Sequence, residues 1–92
     1  MTNIKIIDIY GYEDVELKVI IDKLISKYRI SEIEAEIFDK YTINMTLTIL
    51  NNKICINISR ELLAKMFDCQ YFIYSICEKI DYELLKQYKI CN

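Results

Sequence analysis

Histidine, proline and tryptophan are absent from the 92 residues, and glycine occurs once. The missing histidine carries the most meaning. It removes the side chain that exchanges protons most readily near neutral pH and the commonest metal ligand, so no Ser/His/Asp or Cys/His arrangement exists. A lone glycine excludes phosphate-cradling loops and dinucleotide fingerprints, which need several. The missing proline and tryptophan say less. Few Gly, Pro, Ala and Arg beside many Ile, Lys, Asn and Tyr is the composition that an AT-rich genome encodes. Long apolar runs are lacking too, so no segment is expected to span a bilayer. The start Met1-Thr2-Asn3-Ile4-Lys5 does not read as a secretory leader, and the cytoplasm is the expected location. With 14 acidic against 12 basic residues the net charge is −2, so the basic excess that direct nucleic-acid binding requires is also missing.

What is present is core. Hydrophobic residues make up 53% of the chain and 19 are isoleucine, while 28% are charged. That balance predicts one folded domain over residues 1–92 rather than a disordered chain. The cysteines at 55, 69, 77 and 91 form no C-x-x-C pair and have no histidine to complete a zinc site. They are expected to be reduced, free of metal, and used as small apolar residues. Cys91, near the C-terminal end, is the one expected to be exposed. No cofactor is expected.

Periodicity predicts the elements. Ile4-Lys5-Ile6-Ile7-Asp8-Ile9 is rich in β-branched residues and runs to Gly11, which predicts a strand. Leu17, Ile20, Ile21, Leu24, Ile25 and Tyr28 recur at helical spacing and predict a helix from Glu13 to Tyr28. Glu13, Asp14 and Glu16 fall in its first turn, where the helix dipole favours them, and Asp14–Lys18 is a favourable i,i+4 pair. Residues 31–41 fit two templates. Glu32-Ile33-Glu34-Ala35-Glu36-Ile37 alternates as a half-buried strand does, whereas Ile30, Ile33, Ile37, Phe38 and Tyr41 fit a helix that Ser31 and Glu34 would cap. The strand is preferred because it completes a meander. After a turn at Asp39-Lys40, Ile43, Met45, Leu47 and Ile49 alternate with polar residues, as do Ile54, Ile56 and Ile58. Asn51-Asn52 is the expected turn of that hairpin. Ser59 can cap a short helix through Leu62, Leu63, Met66 and Phe67, and a second helical stripe carries Ile73, Ile76, Cys77, Ile80, Leu84 and Tyr88. One helix over residues 60–89 would be roughly 45 Å long, so a break is expected near Asp68-Cys69-Gln70 and another at Asp81. The whole reads β-α-β-β-β-α-α: an α+β domain with a small antiparallel sheet and helices packed on its apolar face.

Catalytic candidates are thin. Glu34 or Glu36 can in principle do acid–base work, but each reads more simply as a solvated strand charge, and no base accompanies any cysteine. An enzyme is not expected. The distinctive polar feature is the row Glu32, Glu34, Glu36. On a strand these project from one face about 6.7 Å apart, a spacing able to imitate a run of phosphates. Any sheet with one wet face also needs polar residues there. The second candidate is aromatic. Of Tyr71, Phe72, Tyr74 and Tyr82, the three tyrosines fall off the Ile73–Cys77–Ile80–Leu84 stripe, and tyrosine is favoured at protein interfaces because it covers area and keeps a polar tip. Partial burial at the margin of the core accounts for them equally well.

The order of elements, with its hairpin turn at Asn51-Asn52 and serine-initiated helix at Ser59, resembles the small anti-CRISPR proteins of phages and prophages over residues 15–89. The resemblance implies a protein-binding inhibitor of a nucleic-acid-handling effector, acting in a bacterial cytoplasm. Some of that family occupy a nuclease's DNA groove with carboxylates. The contacts here would be Glu32, Glu34 and Glu36, supported by Tyr71 and Tyr74. Two other classes fit the residues: an antitoxin or immunity protein that neutralises a toxic enzyme, and a homo-oligomeric module joined through the hairpin or the C-terminal helices. Under every reading Leu24, Leu47, Ile56 and Ile80 belong to the core. Leu47→Ala is expected to cost about 2–5 kcal/mol by denaturant titration. An unchanged midpoint would mean that Thr46 and Thr48 face inward instead.

Overall fold

Alternation over residues 42–59 produces two strands whose apolar side chains all point one way. In the computed structural model, which describes residues 1–9 and 15–90 (side chains only as far as 87), β3 is Thr42–Ile49 and β4 is Asn52–Ser59, paired antiparallel in unbroken register. Ile43, Met45, Leu47 and Ile49 on β3 and Ile54, Ile56 and Ile58 on β4 are buried. β2, Ile30–Ile37, adds Ile33, Ala35 and Ile37 to the same face. β1, Asn3–Asp8, completes a four-stranded sheet in the order β1-β2-β3-β4.

The α+β architecture with its helices on the apolar face is as the sequence predicts, but the sheet is mixed. β1 runs parallel to β2 while the other pairs are antiparallel. A helix lies between β1 and β2, and such a crossover returns the chain in its original direction, whereas a tight turn reverses it. That helix, α1, spans Val15–Lys27 and buries Leu17, Ile20, Ile21 and Leu24. Gly11, the helix start at Glu13, the Asp14–Lys18 pair and Cys91 lie outside the described residues, as does the side chain of Tyr88.

The ambiguity at residues 31–41 resolves as a strand, and the structure shows why two templates fitted. A register shift between Ile30 and Glu32 places a bulge at Ser31. One extra residue there brings Ile30 and Ile33, three apart, onto the same buried face. Three-residue spacing of isoleucines is also what a helix would show. Ser31 Oγ donates to the Thr48 carbonyl at 3.3 Å across the bulge, instead of capping a helix. Phe38 and Tyr41, which completed the helical template, are exposed. The turn that follows is held by Asp39, whose Oδ1 accepts from the Tyr41 and Thr42 amides at 2.7 and 2.8 Å.

Ser59 ends β4 and caps α2, Arg60–Met66, its Oγ accepting from the Leu62 amide at 3.3 Å. The helix breaks at 67–69 as expected. The second expected break does not occur: α3 runs from Gln70 to Ile90 through Asp81. No glycine or proline lies in this segment to interrupt it, and Asp81 spends its carboxylate on a partner from another element (below). Phe72 joins Ile76, Cys77 and Ile80 in the core, so it does not belong with the exposed aromatics. Cysteine usage divides as well. Cys77 is buried and Cys69 half-buried, but Cys55 is exposed, contrary to a uniform core role.

The hairpin turn falls one residue earlier than expected. Ile49 pairs with Asn52, so the loop is Leu50-Asn51. Both have positive φ, 49° and 68°, as the type I′ turn favoured by two-residue hairpins demands. Asparagine tolerates this region and leucine does not. Leu50 is 70% exposed and returns little burial for the strain. Leu50→Asn is therefore expected to stabilise the domain by about 1 kcal/mol. A lower denaturation midpoint in that variant would show that the leucine makes a contact worth more than its backbone costs.

Candidate functional site

With every helix on one side, the other face of the sheet carries no covering layer among the described residues. Strand register arranges it in three rungs. Asn3, Glu32, Thr48 and Lys53 form the first, Lys5, Glu34, Thr46 and Cys55 the second, and Ile7, Glu36, Asn44 and Asn57 the third. Each rung thus holds one carboxylate on β2, an interior strand clamped by neighbours on both sides. Glu32 is exposed, and Glu34 and Glu36 are half-buried by the side chains around them. Their placement on one solvent-facing strand is as the alternation predicts.

The flanking residues could not be read from the sequence. Lys5 stands beside Glu34 because β1 pairs parallel to β2, and Lys53 ends the rung that begins at Asn3. Across the three rungs, three carboxylates against two ammonium groups leave a local charge of −1. A shallow concavity of about 260 Å³ opens among Lys5, Glu32, Glu34, Thr46, Thr48 and Lys53. Thr46 Oγ1 and Cys55 Sγ lie 3.7 Å apart within the second rung. The surface is therefore polar, mildly acidic and dished. Among the described residues no group of three or more His, Cys, Asp or Glu is placed to hold a metal ion.

Of the two readings open for Tyr71 and Tyr74, the structure has them exposed, at 81% and 51%, but they do not join the acidic row. Both sit on α3, whose buried side packs against the opposite, apolar face of the sheet. The sheet itself separates the two groups. Tyr82 is the tyrosine nearer the acidic face: it lines a groove of about 660 Å³ together with Cys55 and Asn57 of β4. The signal for this was available in the helical spacing, since Ser75, Lys79 and Tyr82 share one flank of α3, but it needed the knowledge that this flank meets β4.

Comparison with known protein families, curated proteins and solved structures finds no match to the chain. The reading of the surfaces rests on their own chemistry.

The tyrosine side is fixed by a latch between α1 and α3. Tyr28, the residue after α1, donates its phenol to Asp81 Oδ1 at 2.7 Å, with the Cys77 carbonyl 3.3 Å away. Beside it the Lys27 ammonium stands 5.5 Å over the Tyr74 ring, near enough for a cation–π attraction. Burial raises the Tyr28 pKa above its ordinary value of 10.0, and the hydrogen bonds to Asp81 and Cys77 raise it further. A phenol whose folded pKa exceeds its unfolded one stabilises the fold fully below pH 10. That contribution is lost as pH climbs from there through the folded value. Tyr28→Phe is thus expected to lower stability by about 1 kcal/mol near neutrality. Above pH 10 the gap between the variant and the parent should narrow. Denaturant midpoints taken from pH 7 to 11 check this, and a constant gap would mean that the latch does not titrate.

Proposed function

We propose that this chain is a binding protein that inhibits a macromolecular partner, and that it docks through the open face of its sheet. One observation carries the reading: Glu32, Glu34 and Glu36 stand in register on an interior strand, on a face that none of the three helices covers. Carboxylates held by a sheet lose little freedom when they meet a partner, which lowers the ordering cost of association. Their regular spacing suits a surface of regularly spaced cations, such as the groove in which an enzyme holds a nucleic-acid backbone. A CRISPR effector is a partner of that kind, and a small inhibitor acting on one would work in a bacterial cytoplasm. Lys5 and Lys53 limit the acidity of the face. The partner is therefore matched by pattern, with acceptors in the centre and donors at the margins, rather than by bulk charge. Tyr71 and Tyr74 lie on the other side of the molecule, so they serve this interface only if the partner wraps around the β4 edge.

Charges at such a surface act mainly on the rate of encounter and on register. The test is inhibition of DNA cleavage by a panel of guide-loaded CRISPR nucleases, with association followed at low and moderate salt. The parent chain is expected to inhibit at least one, binding faster at low salt. The triple variant Glu32→Lys, Glu34→Lys, Glu36→Lys, confirmed as folded by circular dichroism, is expected to associate at least tenfold more slowly and to lose the salt dependence. If the triple variant inhibits with unaltered kinetics, the acidic row is only a solvated face. If the parent inhibits none of the panel, the partner belongs to another class.

A further inference from the structure

The two edges of the sheet are not alike. At one, α3 lies along β4, and Gln87 Nε2 donates to the Lys53 carbonyl at 2.9 Å. At the other, β1 pairs on one side only. The Ile9 amide donates to the Ile37 carbonyl at 3.2 Å, which fixes the direction of every backbone group along the strand. Successive residues of a strand aim their N–H and C=O to alternate sides. Residues 3, 5, 7 and 9 therefore face β2, and Ile4 and Ile6 aim both groups outward. No other strand among the described residues pairs with them. Their side chains lie on the helix side, level with Ile33 and Ala35, yet remain 48% and 39% exposed. Beside them is a cleft of about 290 Å³ whose far wall is Lys18, Ile21 and Asp22 of α1. Among the described residues β1 shows no proline, no bulge and no covering helix on its outer side, and Lys5 and Asp8 are its only charged residues.

We propose that β1 is a docking edge for an extended segment of a different protein, which adds to the sheet as a fifth strand. This edge adjoins the open face at Lys5 but does not depend on the role proposed for that face. The outward N–H and C=O of Ile4 and Ile6 would bond to the incoming backbone, the mode by which strands add to exposed edges. Alternate side chains of that segment would fall on the helix side, against Ile4, Ile6 and the cleft, and should be apolar. The others would fall on the open side next to Lys5, where an acidic residue completes the pair.

A second copy of this chain fits less well. A two-fold antiparallel pairing must keep helix side with helix side, and the two registers that overlap most of β1 centre on Lys5 or on Ile6. The first sets two lysines directly opposite each other, a repulsive cross-strand pair. The second sets the Asp8 carboxylate against the Ile4 side chain, beside a cleft that Lys18, Ile21 and Asp22 line.

The probe is a short capped peptide of valine alternating with glutamate, added to the intact chain and followed by amide exchange in NMR. Binding is expected to be saturable and to slow exchange at Ile4 and Ile6. Ile6→Pro removes one outward N–H and leaves the ladder to β2 untouched, since edge strands accept proline at such positions. This variant is expected to melt as the parent does and to lose the peptide. Should it fail to fold, Lys5→Glu serves instead: it should bind the glutamate peptide at least tenfold more weakly and accept a valine–lysine peptide. Unaltered exchange at Ile4 and Ile6 with either peptide would overturn the proposal. So would perturbation confined to Thr46 and Thr48, which would put the peptide on the open face. A dimer that forms without peptide and is lost in Ile6→Pro would replace the foreign strand with a second copy.

Discussion

Everything in this molecule follows from the one-sidedness of its sheet. β2, β3 and β4 each present apolar side chains at every second position toward a single layer of helices, and a fully buried isoleucine or leucine contributes about 1.5–3 kcal/mol relative to exposure. Ile33, Ile37, Ile43, Leu47 and Ile54 all reach essentially complete burial. A one-residue slip in any of these strands would exchange that set for threonine, asparagine and glutamate. The same constraint that holds the core therefore dictates the opposite face. Polar residues must stand there in register, and the carboxylates of β2 are in line because the isoleucines beneath them are.

Legibility in the sequence tracks how local each cause is. The β3–β4 hairpin, the cap at Ser59 and the gap between α2 and α3 depend on neighbours a few residues apart, and alternation or capping chemistry announces them. The bulge at Ser31 is local too, but it imitates helical spacing, so β2 was legible only through its place in the meander. Leu50-Asn51 escaped because a leucine with positive φ breaks the rule by which turns are recognised. The parallel docking of β1 was out of reach, since the pairing of Lys5 with Glu34 spans a helix and leaves no trace in either segment. The candidate site divides the same way. The acidic row could be read from alternation, while Lys5, Lys53 and the separation of Tyr71 and Tyr74 from that row required the tertiary arrangement.

Polar side chains tie the elements to one another at several points. Tyr28 crosses to Asp81, Gln87 to Lys53, and Ser31 to Thr48. Each reaches a group on another element that would otherwise depend on water. Such bonds add about 1 kcal/mol apiece and mainly fix which arrangement of the apolar layers is adopted. The Tyr28 bond also bears on the continuity of α3: Asp81, a residue that favours turns, accepts in the helix from the residue that follows α1.

The lone parallel strand has a consequence for how stability is distributed. Residues paired across the β3–β4 turn are three to seventeen apart in sequence, whereas every pairing of β1 with β2 closes a loop of 29 residues. Closure entropy grows with the logarithm of loop length, and β1 offsets it poorly, since four of its six residues are exposed. Local unfolding should thus begin at β1 and leave the hairpin and its helices standing. Such opening would strip Asn3, Lys5 and Ile7 from the rungs beside the carboxylates. The acidic face would then have two forms, one bordered by Lys5 and Lys53 and one by Lys53 without Lys5.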